Sequence, residues 1–251
     1  MPLSNKTTTE TKPSRTPFAV VEAYNTIRTN LTFLLSQNNG KIVTISSSNE
    51  AEGKSTTSVN IAISFSQLGS KTLLIDADMR KPTIHKKLHI ANTNGLSTVL
   101  VGLCEFDDAI NSINANLDVL TSGPIPPNPS EILANQSVDA FFEMLKEKYD
   151  YIIIDTPPIN IVTDALVVAP RTDGLVLVVK DYSTYHKNFQ VALSALEFAN
   201  IRLFGVVLNG LITQGAGSKY KYRYKYSYKY RYGYRYGYRY GYSQNNDKSR
   251  K

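Results

Sequence analysis

From Ala19 to Leu35 the apolar residues Val20, Tyr24, Ile27, Leu31 and Leu34 recur three or four apart, which predicts an amphipathic helix. After Gly40 the period changes. Uninterrupted aliphatic runs follow at residues 42–45, 72–75, 151–154 and 175–179, with another strand predicted at 203–208. Runs of this length fit strands buried on both faces. Helices are predicted between them over 55–68, closed by Gly69, over 130–148 and over 186–199. This alternation predicts an α/β fold, a mostly parallel sheet with helices on both faces, whose ligands bind beyond the carboxyl ends of the strands.

At 251 residues and 42% hydrophobic content, the chain has material for one such domain and short non-globular ends. Residues 1–17, rich in Thr, Ser, Pro and charge, are expected to be a flexible leader, with the domain over 18–218. The first residues lack a basic-then-apolar leader, and no apolar run reaches the roughly 18 residues of a spanning helix, so export and self-anchoring are not expected. The single cysteine, Cys104, excludes an internal disulfide and a multi-cysteine metal site, and fits packing in a reducing cytoplasm.

The formal net charge of +7 suggests an acidic partner until it is located. Residues 219–251 hold eleven Lys and Arg against Asp247 alone, a net +10, so the rest of the chain is slightly acidic, a basic DNA-binding body is not supported and any polyanion affinity belongs to the tail. Within that tail Tyr220, Tyr222, Tyr224, Tyr226, Tyr228, Tyr230, Tyr232, Tyr234, Tyr236, Tyr238, Tyr240 and Tyr242 occupy every second position. One isolated strand of that pattern has nothing to pair with, so disorder is expected until something binds it.

Chemistry concentrates at strand ends. The run at 42–45 leads into SSSNEAEGKSTT, where Gly53, Lys54, Ser55 and Thr56 form the second half of a Walker A loop, Ser48 standing where the pattern has its first glycine. In such a loop backbone N–H groups and the following helix N-terminus hold phosphate oxygens, lysine reaches the β and γ phosphates, and the serine hydroxyl coordinates Mg²⁺. Asp76, Asp78 and Arg80 follow the second run; carboxylates there can bind Mg²⁺ or accept a proton from an attacking hydroxyl. Asp155 ends the third run as a Walker B carboxylate. Together these point to ATP, Mg²⁺ and phosphoryl transfer. Asn209, near a strand end, is read either as an adenine contact or as a turn former, and Asp164 as a helix cap.

With GKST at 53–56, LLIDADMRKP at 73–82, GPIPPNPSEIL at 123–133, IIIDTPP at 152–158 and the tyrosine cluster, the chain resembles the bacterial tyrosine kinases (BY-kinases) of capsule and exopolysaccharide synthesis. The resemblance implies a P-loop NTPase fold and an autokinase that phosphorylates the tail tyrosines of a neighbouring subunit. It implies that Lys54 and Ser55 bind phosphates and Mg²⁺, that Asp78 and Asp155 join Ser55 at the metal, and that Asp76 is the catalytic base with Arg80 beside it. It further implies a ring-like homo-oligomer, a transmembrane activator that recruits the cytoplasmic kinase to the inner membrane face, and a phosphotyrosine phosphatase. Relatives carry E-x-x-R-x-x-R on the first helix; here Glu22 and Arg28 flank Asn25 in place of the first arginine, which is expected to weaken the oligomer contact. Glu50, Ala51 and Glu52 stand where relatives have Pro-Gly, with Glu52 expected to point outward.

Two other readings use the same residues. A positioning or partition-type ATPase shares the fold, but carries a second lysine early in the loop, where this chain has Asn49. A nucleotide-binding scaffold would instead use the interleaved aromatic and basic tail to bind single-stranded nucleic acid; no specific nucleic-acid partner is expected.

Overall fold

The computed structural model describes residues 17–37 and 39–211, so the leader and the tyrosine-rich tail lie outside the described residues. Seven strands form one sheet in the order β3-β4-β2-β5-β1-β6-β7. The strands β1 (Ile42–Ser47), β2 (Thr72–Asp76), β5 (Tyr151–Asp155), β6 (Gly174–Lys180) and β7 (Leu203–Asn209) are those predicted. They pair in parallel, as does β4 (Leu117–Leu120) with β2; only β3 (Ile110–Asn114) runs antiparallel, against β4.

Because side chains alternate across a strand, each aliphatic run serves two cores. Ile42, Leu73, Ile75, Ile152 and Ile154 face one side, where Val138, Phe141, Phe142 and Leu145 of α7 (Ser137–Lys148) cover them. Val43, Ile45, Leu74, Ile153, Val176 and Val178 face the other, beneath Ile61 and Phe65 of α2 (Lys54–Ser66) and Leu31 of α1 (Phe18–Ser36). Leu175, Leu177 and Val179 pack with Ala192 and Leu196 of α9 (His186–Phe198). The sheet is thus sandwiched as expected: β1, β2, β5 and β6 are buried on both faces, while β7 at the sheet edge is half-exposed.

The predicted helix over 130–148 is two helices, α6 (Pro129–Ala134) and α7. Asn135 between them is extended, and its Oδ1 accepts the Ser137 N–H at 2.9 Å, a side-chain cap that competes with helix continuation. Four short helices went unpredicted: α3 (Ile84–Leu88), α4 (Leu96–Leu100), α5 (Phe106–Ala109) and α8 (Asp164–Val168). Each spans too few residues to display a period.

On α1, Glu22, Asn25 and Arg28 form a ladder. Asn25 Nδ2 donates to Glu22 Oε1 at 2.9 Å, and Arg28 Nη1 donates to Asn25 Oδ1 at 3.0 Å and to the backbone oxygen and hydroxyl of Ser64 on α2, each at 2.9 Å. Arg28 is therefore half-buried and fastens α1 to α2, while Phe18 and Phe33 on the same helix are exposed. Among the described residues no helix is long and apolar enough to cross a membrane.

Candidate nucleotide and phosphoryl-transfer site

β1, β2 and β5 lie side by side with their carboxyl ends in register: Asp76 is opposite Asp155, and Asp155 opposite Ile45. Two carboxylates are thereby fixed next to each other at the edge of the core, below the turn that connects β1 to α2. Asp76 and Asp155 are fully buried and Asp78 almost so. Lys54, the first residue of α2, projects among them. Its Nζ lies 2.8 Å from Asp78 Oδ2, 3.4 Å from Asp155 Oδ2 and 3.3 Å from Ser55 Oγ. Ser58, one turn further along α2, donates to Asp155 Oδ1 at 2.9 Å.

The electrostatics follow from this crowding. Burial works against the Lys54 charge, but Asp155, Asp78 and the Asp78 hydrogen bond together outweigh it and raise its pKa above that of an ordinary lysine. Burial is also the main reason that the Asp155 pKa is raised, against the opposing pull of Lys54 and the hydroxyls of Ser55 and Ser58. Burial and the adjacent Asp155 charge push the Asp76 carboxyl up to about 7, although the Ile84 N–H and Lys54 act against them.

Asp76 and Asp78 do different work. Asp76 Oδ1 accepts the Asp78 N–H at 3.2 Å, and its Oδ2 accepts those of Thr83 and Ile84 at 3.2 and 3.1 Å, which caps α3 from inside. Asp78 faces a cavity of about 420 Å³, which Gly53, Lys54, Ser55, Thr56 and Arg80 also line and which Pro157, Pro158 and Ile161 close on its apolar side. Arg80 is turned toward α8: its Nε and Nη2 bind the buried carboxylate of Asp164 at 2.9 and 3.2 Å, and Nη2 also donates to Ser130 of α6. Thr56 accepts a hydrogen bond from Lys87 of α3.

The loop itself departs from expectation at Glu52. Its side chain points inward and is only 3% exposed. Oε2 accepts the Asn49 N–H at 3.0 Å, while Oε1 accepts from Asn49 Nδ2 at 3.2 Å and from Thr184 Oγ at 2.6 Å. A carboxylate inside the loop thus gathers hydrogen-bond donors from Asn49 in the same loop and from Thr184 just beyond β6. Spacing alone gave no sign of this.

Asn209, the last residue of β7, donates from Nδ2 to the Glu52 carbonyl at 3.0 Å and sits against Gly53. Gly53 has φ of 95°, and a Cβ there would lie 2.0 Å from Asn209 Nδ2. Gly53→Ala is therefore expected to destabilise the chain by about 1–3 kcal/mol through backbone strain and to weaken nucleotide affinity. Thermal unfolding with and without ATP checks both, and an unshifted variant would show that the loop relaxes freely.

All donors that converge here are oxygens (the Ser55 hydroxyl and the carboxylates of Asp78 and Asp155), the set that a hard divalent cation prefers. Among the described residues no three acidic, histidine or cysteine side chains are placed to hold an ion by themselves.

The fold and this loop define a nucleotide-binding protein of the P-loop NTPase class. Residues 40–188 match the family described as AAA domain. The chain is 43% identical over 190 residues to the tyrosine-protein kinase YwqD of Bacillus subtilis, which covers 75% of this chain and 80% of that one. It is 40% identical over 212 residues to the putative tyrosine-protein kinase CapB of Staphylococcus aureus, across 84% of this chain and 92% of CapB. The kinase domain of the Escherichia coli tyrosine kinase ETK superposes with a TM-score of 0.75 at 33% identity, over 80% of this chain and 79% of that one. The chain belongs to the bacterial tyrosine-protein kinases.

Proposed function

We propose that the protein transfers the γ-phosphoryl group of ATP to the tyrosines at even positions from Tyr220 to Tyr242 of a neighbouring copy, and that this regulates capsule or exopolysaccharide synthesis. The observation that carries the reading is the Lys54, Asp78 and Asp155 cluster at the mouth of the Walker loop, with the fully buried carboxylate of Asp76 opposite Asp155 on the neighbouring strand. In this reading Gly53, Thr56 and the first N–H groups of α2 cradle the phosphates, and Lys54 leaves Asp78 for the β and γ oxygens. Ser55, Asp78 and Asp155 are the residues that would hold Mg²⁺, which would supply charge neutralisation for those oxygens. Asp76 accepts the phenolic proton as the tyrosine oxygen bonds to the γ-phosphorus and ADP departs with the bridging oxygen. Arg80 acts through Asp164, by fixing the segment that carries Asp78.

The assembly is a homo-oligomer working in trans. Its contact draws on the exposed apolar residues of α1, since Arg28 is already committed to α2. A transmembrane activator brings the kinase to the inner face of the membrane, and a phosphotyrosine phosphatase reverses the reaction. Five phosphotyrosines add about −8 to −10 charges, enough to cancel the tail's +10.

Mixing tests the central claim. Active protein ending at residue 218 is incubated with Mg²⁺, ATP and full-length Lys54→Met protein, with and without the cytoplasmic segment of the activator. Phosphotyrosine is expected on the inactive full-length subunit. Its absence in both conditions would reject phosphorylation in trans.

A further inference from the structure

A second hollow, of about 600 Å³, adjoins the nucleotide cavity, and Arg80, Lys81 and Thr83 line both. His85 and Lys86 of α3 line it further, as does Gly123, whose N–H and carbonyl are each held at 2.9 Å by the amide of Asn92. No acidic residue contributes to its lining. Two buried polar atoms on that lining, Thr83 Oγ1 and His85 Nδ1, have no hydrogen-bond partner. Arg80 engages Asp164 and Ser130 through Nε and Nη2, and among the described residues nothing takes its Nη1. Lys81 pairs with Glu50 at 2.7 Å, but both side chains are more than half exposed, and such pairs are worth only about 0–1 kcal/mol. Hydroxyl, imidazole and cationic groups therefore surround a space that a compact anion with several acceptor oxygens would satisfy.

The tail suggests which anion. In an extended chain every second side chain lies on the same side, about 6.6–6.8 Å apart. A tyrosine presented at the nucleotide cavity carries its neighbour two residues away toward the adjoining hollow. We propose that this hollow is a phosphotyrosine subsite, which holds the phosphate of a tail tyrosine already modified while the tyrosine two residues along faces the nucleotide. The inference rests on the tail being the substrate, and it makes modification of the cluster sequential, each phosphate favouring the next transfer.

Binding separates the subsite from the kinase reading. Two labelled peptides of residues 219–227, one phosphorylated on Tyr222 and one not, are titrated by fluorescence anisotropy into full-length protein whose tail tyrosines are replaced by phenylalanine. The phosphopeptide is expected to bind about tenfold tighter, the factor that one net charge-assisted hydrogen bond supplies. The advantage is expected to vanish in the His85→Ala, Lys86→Ala double variant while the unmodified peptide binds as before. Lys86→Ala alone, at an exposed position, guards against misfolding of the double variant and is expected to lose part of the advantage. Equal affinity for the two peptides, an advantage that survives both variants, or displacement by inorganic phosphate at the phosphopeptide's own concentration would overturn the subsite. Transfer from ATP to the unmodified peptide is followed in parallel on the wild-type chain. Its absence both with and without the cytoplasmic segment of the activator, together with tight phosphopeptide binding, would refute the tail as substrate and leave the hollow as a phosphotyrosine-binding site without a role in sequential transfer.

Discussion

Lys54→Met protein is expected to lose tyrosine phosphorylation by about 10²–10³-fold or more, the effect of removing one charge-stabilising group from a phosphoryl-transfer site. It is also expected to be less stable, for a separate reason. Lys54 is the cation closest to two carboxylates with almost no solvent contact, and breaking a buried ion pair by deleting one partner costs about 3–5 kcal/mol. With the lysine gone, Asp78 and Asp155 repel each other unopposed, and the Asp155 carboxyl, already raised by burial, is pushed up further. The loss should therefore be greatest at neutral and alkaline pH and shrink as acid protonates Asp155. Urea unfolding at pH 8 and pH 5 measures this. A variant as stable as wild type at pH 8 would mean that the lysine is not what holds the cluster.

Asp76→Asn is expected to remove about 10²–10⁴-fold of the transfer rate, the usual contribution of a general base, while ATP binding persists. Its effect on stability has a defined sign. The folded-state pKa of Asp76, about 7, lies above the roughly 3.9 of an unfolded aspartate, so the folded chain favours the protonated acid. The stability this gives is complete below pH 3.9 and lost as pH rises through about 7. In EDTA, wild-type protein is expected to weaken between about pH 4 and pH 7 and the variant to weaken less. Should Asp76→Asn keep its activity within tenfold while Asp78→Asn loses it, Asp78, the carboxylate on the cavity wall, would be the base.

The strands that carry this chemistry were legible in the sequence because each is a continuous aliphatic run ending in a carboxylate or a glycine-lysine pair. Burial on both faces leaves no other reading of 42–45 or 151–154. The short β3 and β4 were not legible: INSIN is polar and mostly exposed at the sheet edge, and no periodicity distinguishes it from a loop. The roles of individual site residues divided the same way. Positions in the chain brought Lys54, Asp78 and Asp155 to one place, yet the inward turn of Glu52 depends on Thr184, which lies 132 residues away in the chain. The bond from Arg80 to Asp164 spans 84 residues. Contacts of that range have no local signature.

The reach of Asn209 to the Glu52 carbonyl and Gly53 bears on how a new copy of the protein matures. Asn209 braces a residue that lies 157 positions before it in the chain, and β1 itself has no neighbours until β5 and β6 have emerged. In a growing chain the nucleotide loop is therefore completed only once β7 is out, and a chain released before Asn209 has a Walker loop without its brace.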